Sequence, residues 1–212
     1  MIEIKKGKEP PELMAHRKTK YACYGNMSTE THQAVLESLM REQGFICAYC
    51  MRRIPQKGRN PAATIEHLDA QSETDNDKAL DYRNMLAVCN GNRGSAEYSM
   101  TCDAKRKNTS LTVNPLKPST LIGIHYRADG TIFSENSDVN RDLNLVLNLN
   151  CNEFGLVDSR REALQRMLKE LKEKHLTGNI QLYCARLLKA YKEAPRKTPY
   201  VGILIHWLEA HC

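Results

Sequence analysis

Four of the eight cysteines in this 212-residue chain have a spacing that suits a bound metal ion. Cys47 and Cys50 form a C-x-x-C pair, whose two thiolates can grip one ion from a single turn of the backbone, and Cys89 and Cys102 follow downstream. Zinc favours such a set because it accepts four soft ligands tetrahedrally and has no redox chemistry of its own. The spacing therefore predicts a zinc site with these four cysteines as its ligands.

Two other interpretations of these cysteines stay open. A C-x-x-C pair can be a redox pair, although no βαβ pattern surrounds this one, and the thiols can also be free core residues. The gap from Cys89 to Cys102 is wider than a second C-x-x-C pair would give, so Cys89 fits the pattern less closely than the other three. The remaining cysteines have no ligand spacing and are interpreted as small core or surface residues: Cys23, Cys151, Cys184 and Cys212.

A second group of reactive side chains begins between the two cysteine pairs, in the segment TIEHL, which contains Glu66 and His67. A carboxylate beside a histidine on a short strand can give one side chain to a metal and the other to a water. By itself a Glu-His pair does not indicate a catalytic site, since a lone histidine is usually a structural residue whose hydrogen bonds are made within the protein. Its context adds further polar residues downstream: Asn84, Asp103, Lys105 and Arg106.

The elements that must position these residues are short. Ser28 suits an N-cap and Gly44 a helix stop, and apolar residues recur at helical spacing between them, which predicts an amphipathic helix. FICAYC is interpreted as a short strand that leads into the cysteine knuckle, and AATIEHL as a second strand. A polar stretch over 71–80 predicts a loop, and DYRNMLAVC then restores apolar character.

Beyond Thr112 the sequence predicts a mainly helical region. VNPLKPST, with two prolines, favours a rigid linker, and LIGIHY and TIF flank a glycine-bearing turn, which is typical of a β-hairpin. Ser159 and Glu162 fit a capping box at the start of a helix that ends by Gly178. Two more helices are predicted, one over 180–191 and one after Thr198-Pro199.

The pattern divides the chain into three parts. Residues 1–26 are charged and lack a sustained period, so we expect an N-terminal arm, either a disordered tail or a segment for partner docking. Residues 27–112 carry the reactive side chains, and residues 113–212 form the mainly helical region with one hairpin. The predicted fold class is α+β, and direct packing of the last part on the second would make them a single domain.

Charge and composition narrow the classes of partner. Lys and Arg number 31 against 25 Asp and Glu, which gives a net charge of +6 and favours a polyanionic partner such as nucleic acid. The opening MIEIKKGKEPPELMAHRK has no apolar stretch that would serve as a signal peptide, and no stretch approaches the ~20 apolar residues of a membrane span. We therefore expect a cytoplasmic protein without membrane partners, in which thiols are free to bind metal.

The order of these motifs resembles a known family. C-x-x-C, then Glu-His, then Asn, then Cys-Asp-x-x-Arg is similar to the zinc-stabilised HNH endonucleases, in which two strands and a helix hold one divalent metal over the scissile phosphate. Further stretches resemble the PtuB family of HNH effectors from Septu and retron anti-phage systems: IEIKKGKEPPEL, VCNGNRG with TCDAKRKN, NPLKP and LNLNCNEFGLVDSRRE. The resemblance covers nearly the whole chain, and the order of its motifs is specific to this group.

The resemblance implies a role for each reactive residue. His67 would be the general base that deprotonates the attacking water, because a histidine can be neutral at pH 7 and still accept a proton. Glu66 and Asp103 would hold Mg²⁺ or another divalent cation through oxygen ligands. Asn84 would brace the loop and orient His67.

Three basic residues are considered as contacts for the phosphates of nucleic acid. The resemblance makes Lys105 and Arg106, which follow Asp103 at the start of a helix, candidates for phosphate contacts. Arg93, in the loop before Cys102, is interpreted as a solvated charge, with a contact to nucleic acid as the alternative. The sequence departs from the wider class at Asp103, where His or Asn is common; a carboxylate is an acceptable ligand there.

The family implies an HNH ββα-metal core embedded in helices, which hydrolyses phosphodiester bonds of DNA or of tRNA or other RNA. It also implies partners, namely a PtuA-type ABC/SMC-like ATPase and, in retron systems, a reverse transcriptase with its reverse-transcribed DNA. Two alternatives from other classes stay open. One is a zinc-bound nucleic-acid-binding module without catalytic activity, which leaves Glu66, His67 and Asp103 unexplained, and the other is a structural or antitoxin-like partner.

Overall fold

The computed structural model describes residues 1–55, 62–69, 76–175 and 179–212. These residues form α-helices and two small sheets, each of two antiparallel strands. The predicted α+β class is confirmed at this level. Within the same ranges no helix has both the length and the apolar character that a membrane span requires.

The helices and strands follow each other along the chain in a fixed order: α1 Pro11–Arg17, α2 Thr29–Glu42, β1 Ala63–His67, α3 Asn76–Ala79, β2 Met85–Cys89, α4 Cys102–Arg106, β3 Ile124–Tyr126, β4 Ile132–Ser134, α5 Ser137–Arg141, α6 Leu156–His175, α7 Ile180–Glu193 and α8 Val201–His211. A π-helical turn, Asp142–Val146, continues α5. The predictions of α2, β1, the β3–β4 hairpin, α7 and α8 are confirmed.

Helix α2 begins at the expected cap. The Ser28 hydroxyl accepts a hydrogen bond from the Thr31 amide at 3.1 Å, which satisfies one of the free amides of the first turn. Its apolar face is fully buried, and Leu39 shares a cluster with Met85 and Ala87 of β2. The helix therefore supports one side of the β1–β2 pair.

The two strands that carry the reactive residues pair antiparallel from Ala63 opposite Cys89 to His67 opposite Met85. Glu66 and His67 thus lie at the end of β1 that is remote from Cys89. After β2 the chain loops away and returns in α4, whose first two residues are Cys102 and Asp103. This succession of strand, strand and short helix carries Glu66, His67, Cys89, Cys102 and Asp103, while Cys47 and Cys50 come from the turn after α2.

The second and third predicted parts share one apolar core. The largest buried cluster contains Cys47 and Cys102 together with Leu143, Leu164 and Leu204. The stretch after Thr112 is not a free linker, because Val113 is fully buried and the Asp142 carboxylate accepts hydrogen bonds from the Thr112 and Val113 amides. The helical region therefore packs directly on the part that carries the cysteines.

The N-terminal residues 1–26 are not the extended arm that the sequence predicts. Met1 and Ile4 lie in the main core cluster, and the Ile4 amide donates to the Pro115 carbonyl at 2.9 Å. Leu13 of α1 is fully buried in the cluster of α2. These apolar side chains, spaced among charges without a regular period, hold the segment on the body of the protein, and its use in partner docking stays a prediction.

Two element boundaries differ from the sequence-based expectation. FICAYC is not a strand, since within it only Ile46 forms a β-bridge, to Arg53, and the chain turns back between them. Helix α6 begins at Leu156, three residues before the predicted cap, because Leu156 is fully buried and draws the first turn inward. The loop predicted over 71–80 is wrong in its described part, because Asn76–Ala79 forms the short helix α3. Residues 71–75 and the predicted helix stop at Gly178 lie outside the described residues.

The two serines that the sequence assigns to caps allow a matched test. Ser28→Ala removes the cap of α2 and should lower the free energy of unfolding by about 1 kcal/mol. Ser159→Ala replaces a residue inside α6, where alanine is a good helix former, and should leave stability unchanged or raise it by a few tenths of a kcal/mol. Chemical denaturation measures both, and equal losses in the two variants would contradict the observed helix starts.

Candidate functional site

Four buried cysteine sulfurs form a compact group in the centre of the protein. Cys47 lies 3.8 Å from Cys102, Cys50 lies 3.7 Å from Cys89, and Cys89 lies 3.9 Å from Cys102. All four sulfurs are within 4.8 Å of one another. Four sulfurs bound to zinc at about 2.3 Å stand about 3.8 Å apart at the edges of their tetrahedron, so the cluster could hold a zinc ion.

The first two thiols come from a tight knuckle. The Cys47 amide donates to the Arg52 carbonyl at 2.9 Å and the Met51 amide donates to the Cys47 carbonyl at 3.0 Å, which turns the chain sharply. Gln43, a buried residue after α2, fixes this knuckle to β2. Its side-chain amide donates to the Ile46 and Ala87 carbonyls and accepts from the Ala87 amide at 2.8 Å.

Cys102 is held in an unusual backbone conformation at the start of α4. Its φ is 54°, in the left-handed region that costs a non-glycine residue roughly 1–2 kcal/mol. Hydrogen bonding with the Cys47 sulfur raises the pKa of the Cys102 thiol well above its usual value, and burial acts in the same direction. Four thiolates cannot share this site without a cation, which is the electrostatic reason for a metal here.

A pocket of about 370 Å³ lies beside this cluster and contains the predicted reactive residues. Glu66 and His67 reach it from β1, and Asp103 reaches it from α4, one residue after a cluster cysteine. It is open to solvent on one side, where Arg93 and Lys107 line it. The fold thus brings the predicted base and both predicted carboxylate ligands into one place.

His67 is buried and its ring is held from two sides. Its Nε2 lies 2.9 Å from the Ala79 carbonyl, and the Tyr24 ring stands edge-on at 4.6 Å between centroids. Burial lowers the pKa of His67 below its usual value, and Arg106 acts in the same direction, while the Ala79 carbonyl and Asp103 oppose this shift. The net shift in pKa favours the neutral form of the ring.

Asn84 is also buried and does not belong to the pocket lining. Its side-chain amide donates to the Asp69 and Lys78 carbonyls at 3.1 and 3.2 Å, and its oxygen accepts from the Asp69 amide at 2.8 Å. The Lys78 carbonyl precedes the Ala79 carbonyl that faces His67. Asn84 therefore braces the backbone next to the carbonyl that His67 contacts, and its role in orienting a catalytic base stays a prediction.

Glu66 is the carboxyl group of the pocket whose pKa is raised. It forms an ion pair with the buried Arg106 guanidinium and accepts a hydrogen bond from the Tyr49 hydroxyl at 2.9 Å. Burial and, after it, the neighbouring Asp103 carboxylate raise the pKa of Glu66 to about 8, although Arg106 acts in the opposite direction. A second cation close to Glu66 and Asp103 would relieve this repulsion.

Arg106 is not the phosphate contact that the sequence predicts. It is 1% exposed, and besides Glu66 its guanidinium donates to the carbonyls of His67, Leu68 and Thr109. A side chain that is surrounded by protein acceptors cannot reach a phosphate, so this prediction is wrong. Lys105 is partly exposed and pairs with Glu97 at 3.7 Å, so its contact with phosphate stays a prediction.

Three further residues of the pocket were missed or given a different role. Arg93, interpreted as a solvated charge, pairs with Asp103 although its side chain is 56% exposed. Tyr24 and His32 line the pocket from the N-terminal segment and from α2. Burial and the Asp103 charge raise the pKa of Tyr24 to about 12. Neither Tyr24 nor His32 belongs to a sequence motif. Only their position in the pocket of the folded protein identifies them.

Comparison of the chain with protein-family models and with curated proteins gives no match. The geometry of the four thiols and of the adjoining pocket therefore carries the functional assignment.

Removal of one cluster cysteine should separate metal binding from ordinary core packing. Cys50→Ser is expected to lose most of its bound zinc and about 5 kcal/mol or more of folding free energy, because structural zinc binding is coupled to folding. Elemental analysis and thermal unfolding measure the two effects. Cys212→Ser, at an exposed cysteine outside the cluster, is the control. Full stability and full zinc content in Cys50→Ser would overturn the metal site.

The loop between the third and fourth thiols offers a second matched pair. At Gly91, φ is 59° and an added Cβ would lie 2.1 Å from the Thr101 carbonyl oxygen, whereas at Gly94, φ is 90° and the space is open. Gly94→Ala should cost about 1–2 kcal/mol from backbone strain alone. Gly91→Ala should cost more, on the order of 2–4 kcal/mol, because Thr101 must move and Cys102 with it. Denaturant unfolding ranks the two; equal costs would show that the loop does not fix Cys102.

Proposed function

We propose that this protein is a metal-dependent endonuclease of the HNH class, of the PtuB type, that hydrolyses phosphodiester bonds in nucleic acid. The observation that carries the proposal is the convergence of His67, Glu66 and Asp103 on one pocket beside the four thiols. Support also comes from the order of β1, β2 and α4, which is the succession expected of a ββα-metal core.

His67 is suited to act as the general base. A carbonyl oxygen only accepts hydrogen bonds, so the Nε2 that faces the Ala79 carbonyl carries the ring proton. In a neutral ring Nδ1 is then the basic nitrogen, and it can take a proton from a water that attacks a phosphate. Asn84 is a positioning residue, because it fixes the backbone to which His67 is bonded.

Glu66 and Asp103 are suited to hold a divalent cation such as Mg²⁺. Two neighbouring carboxylates are hard oxygen donors, and Mg²⁺ typically takes one or two carboxylates and completes its shell with water and substrate phosphate. Within the described ranges, Glu66 and Asp103 belong to no group of three His, Cys, Asp or Glu residues whose ligand atoms all lie within 4.8 Å of one another, which fits that mode better than a closed protein cage. When bound, such a cation would stabilise the charge of the phosphorane and of the leaving oxygen.

Two arginines position the carboxylates of the pocket and balance their charge. Arg106 neutralises Glu66 from the protein side and holds the His67 carbonyl at 2.8 Å, so it fixes the end of β1. Arg93 pairs with Asp103 from the solvent side, where its guanidinium is close to any phosphate that enters. The four thiols are assigned to one structural zinc ion, separate from the catalytic cation.

The wider biological assignment rests on the resemblance. We propose that the protein is a cytoplasmic effector of anti-phage defence that acts with a PtuA-type ABC/SMC-like ATPase and, in a retron setting, with a reverse transcriptase and its reverse-transcribed DNA. The net charge of +6 supports the nucleic-acid substrate and does not bear on the protein partners.

The test is cleavage of plasmid DNA and of total tRNA by purified wild type and His67→Ala, with and without added Mg²⁺ and the ATPase. We expect Mg²⁺-dependent cleavage that falls at least about 100-fold in His67→Ala, the contribution of a general base. Zinc content and the circular dichroism spectrum should be unchanged. His125→Ala, at a histidine of β3 outside the pocket, is the control and should cut like wild type.

Two results would contradict the proposal. Cleavage that survives in His67→Ala would remove the assigned base, and the pocket would have no catalytic role. Wild type that binds nucleic acid under every condition and cuts none of it would favour the zinc-bound nucleic-acid-binding module, with Glu66, Arg106 and Asp103 as a structural charge network.

A further inference from the structure

A second hollow, of about 620 Å³, is lined by residues of α1, of the turn that follows it and of the chain at and after α3. Its lining includes Arg17 and Lys18 at the end of α1, Tyr21 in the turn that follows, and Leu80 after α3. The Ala79 carbonyl, one residue before Leu80, is the group that His67 contacts. The hollow and the catalytic pocket are therefore neighbours, and its volume lies within the roughly 300–1,000 Å³ of small-molecule sites.

Tyr21 presents a large aromatic ring to solvent in this hollow. Its side chain is 79% exposed, and its φ of 65° is unusual for an aromatic residue. The turn that holds it is well defined, because the Asn26 side chain donates to the Tyr21 carbonyl at 2.9 Å and His16 bonds to the Cys23 carbonyl at 3.0 Å. An exposed ring on a turn that is held by hydrogen bonds is a suitable platform for a flat ligand.

The ring stands beside three cations, and the hollow also contains one carboxylate, Asp77. Lys18 lies in the lining, and the Lys20 ammonium is 4.9 Å from the centre of the Tyr21 ring. Arg17 adds a third cation, which pairs with Glu9 at 3.3 Å. An aromatic face beside several cations matches the two parts of a nucleotide, since a base stacks on a ring and its phosphate pairs with lysine or arginine.

We propose that this hollow binds one unpaired nucleotide of the substrate, with its base stacked on Tyr21 and its phosphate next to Lys18 and Lys20. The inference rests on the proposed function, because it requires a nucleic acid in the neighbouring pocket. Tyr24, whose ring contacts His67, is three residues from Tyr21, so the two Cα atoms are at most about 11 Å apart. The unpaired nucleotide thus lies within a few nucleotides of the bond that is cut.

This placement selects a class of substrate. In a continuous duplex each base is stacked and paired, and taking one out costs a few kcal/mol. A single strand, a loop or an end has unstacked bases that can reach the Tyr21 ring at no such cost. The substrate is therefore a nucleic acid with unpaired nucleotides at or beside the cleavage site.

The test measures binding, so that it does not depend on cleavage. A fluorescently labelled single-stranded oligonucleotide and its duplex are titrated with the full-length protein, without added Mg²⁺ and without chelator. Tyr21→Ala should weaken single-strand binding by about 5-fold or more, the effect of one lost base–aromatic stack. Tyr21→Phe, which keeps the ring, should bind like wild type, and duplex binding should be the same in all variants.

Tyr98→Ala is the matched control, because Tyr98 is 69% exposed and does not line the hollow. Unchanged single-strand binding in Tyr21→Ala, equal losses on single strand and duplex, or an equal loss in Tyr98→Ala would each overturn the subsite. A protein that cuts nucleic acid but shows no Tyr21 effect would contradict this inference alone. A protein with the Tyr21 effect that never cuts would contradict the proposed nuclease and leave the subsite standing.

Discussion

The contact among four thiols is the interaction on which the rest of this structure depends. It joins three separate pieces of chain, the knuckle of Cys47 and Cys50, the end of β2 at Cys89, and the start of α4 at Cys102. Because β1 pairs with β2 while Asp103 directly follows Cys102, the contact also sets how far Asp103 stands from the side chains of β1. Four buried thiols offer little attraction of their own, and a zinc ion bound by all four would stabilise this junction.

Each of the two carboxylates of the pocket pairs with an arginine, and the two arginines lie on opposite sides of the pocket. Arg106 meets Glu66 in the interior, where removal of one partner would leave an unpaired buried charge and a large loss of stability. Arg93 meets Asp103 at the solvent boundary, where its side chain is free to exchange one anion for another. The inner ion pair is therefore fixed and the outer ion pair is adjustable, which would suit the proposed entry of a cation and a phosphate.

Local patterns in the sequence predicted α2, α7, α8, β1 and the β3–β4 hairpin. The C-x-x-C pair and the Ser28 cap depend on neighbours in the chain, and each lies where it was expected. The short helices α1, α3 and α5 were not predicted, and FICAYC was wrongly predicted to be a strand. Other errors concern long-range packing. Nothing near Arg106 in the sequence indicates that its guanidinium is enclosed by carbonyls of β1, and the N-terminal segment shows no periodicity although Leu13 and Tyr24 fit the folded body.

One zinc ion, bound by these four thiols alone, would hold the walls of the pocket together. X-ray absorption at the zinc edge of the purified wild-type protein can establish whether it does. We expect one zinc per chain with four sulfur neighbours at about 2.3 Å and no nitrogen or oxygen ligand. A first shell with fewer sulfurs, or a well-folded protein that contains no zinc, would contradict it.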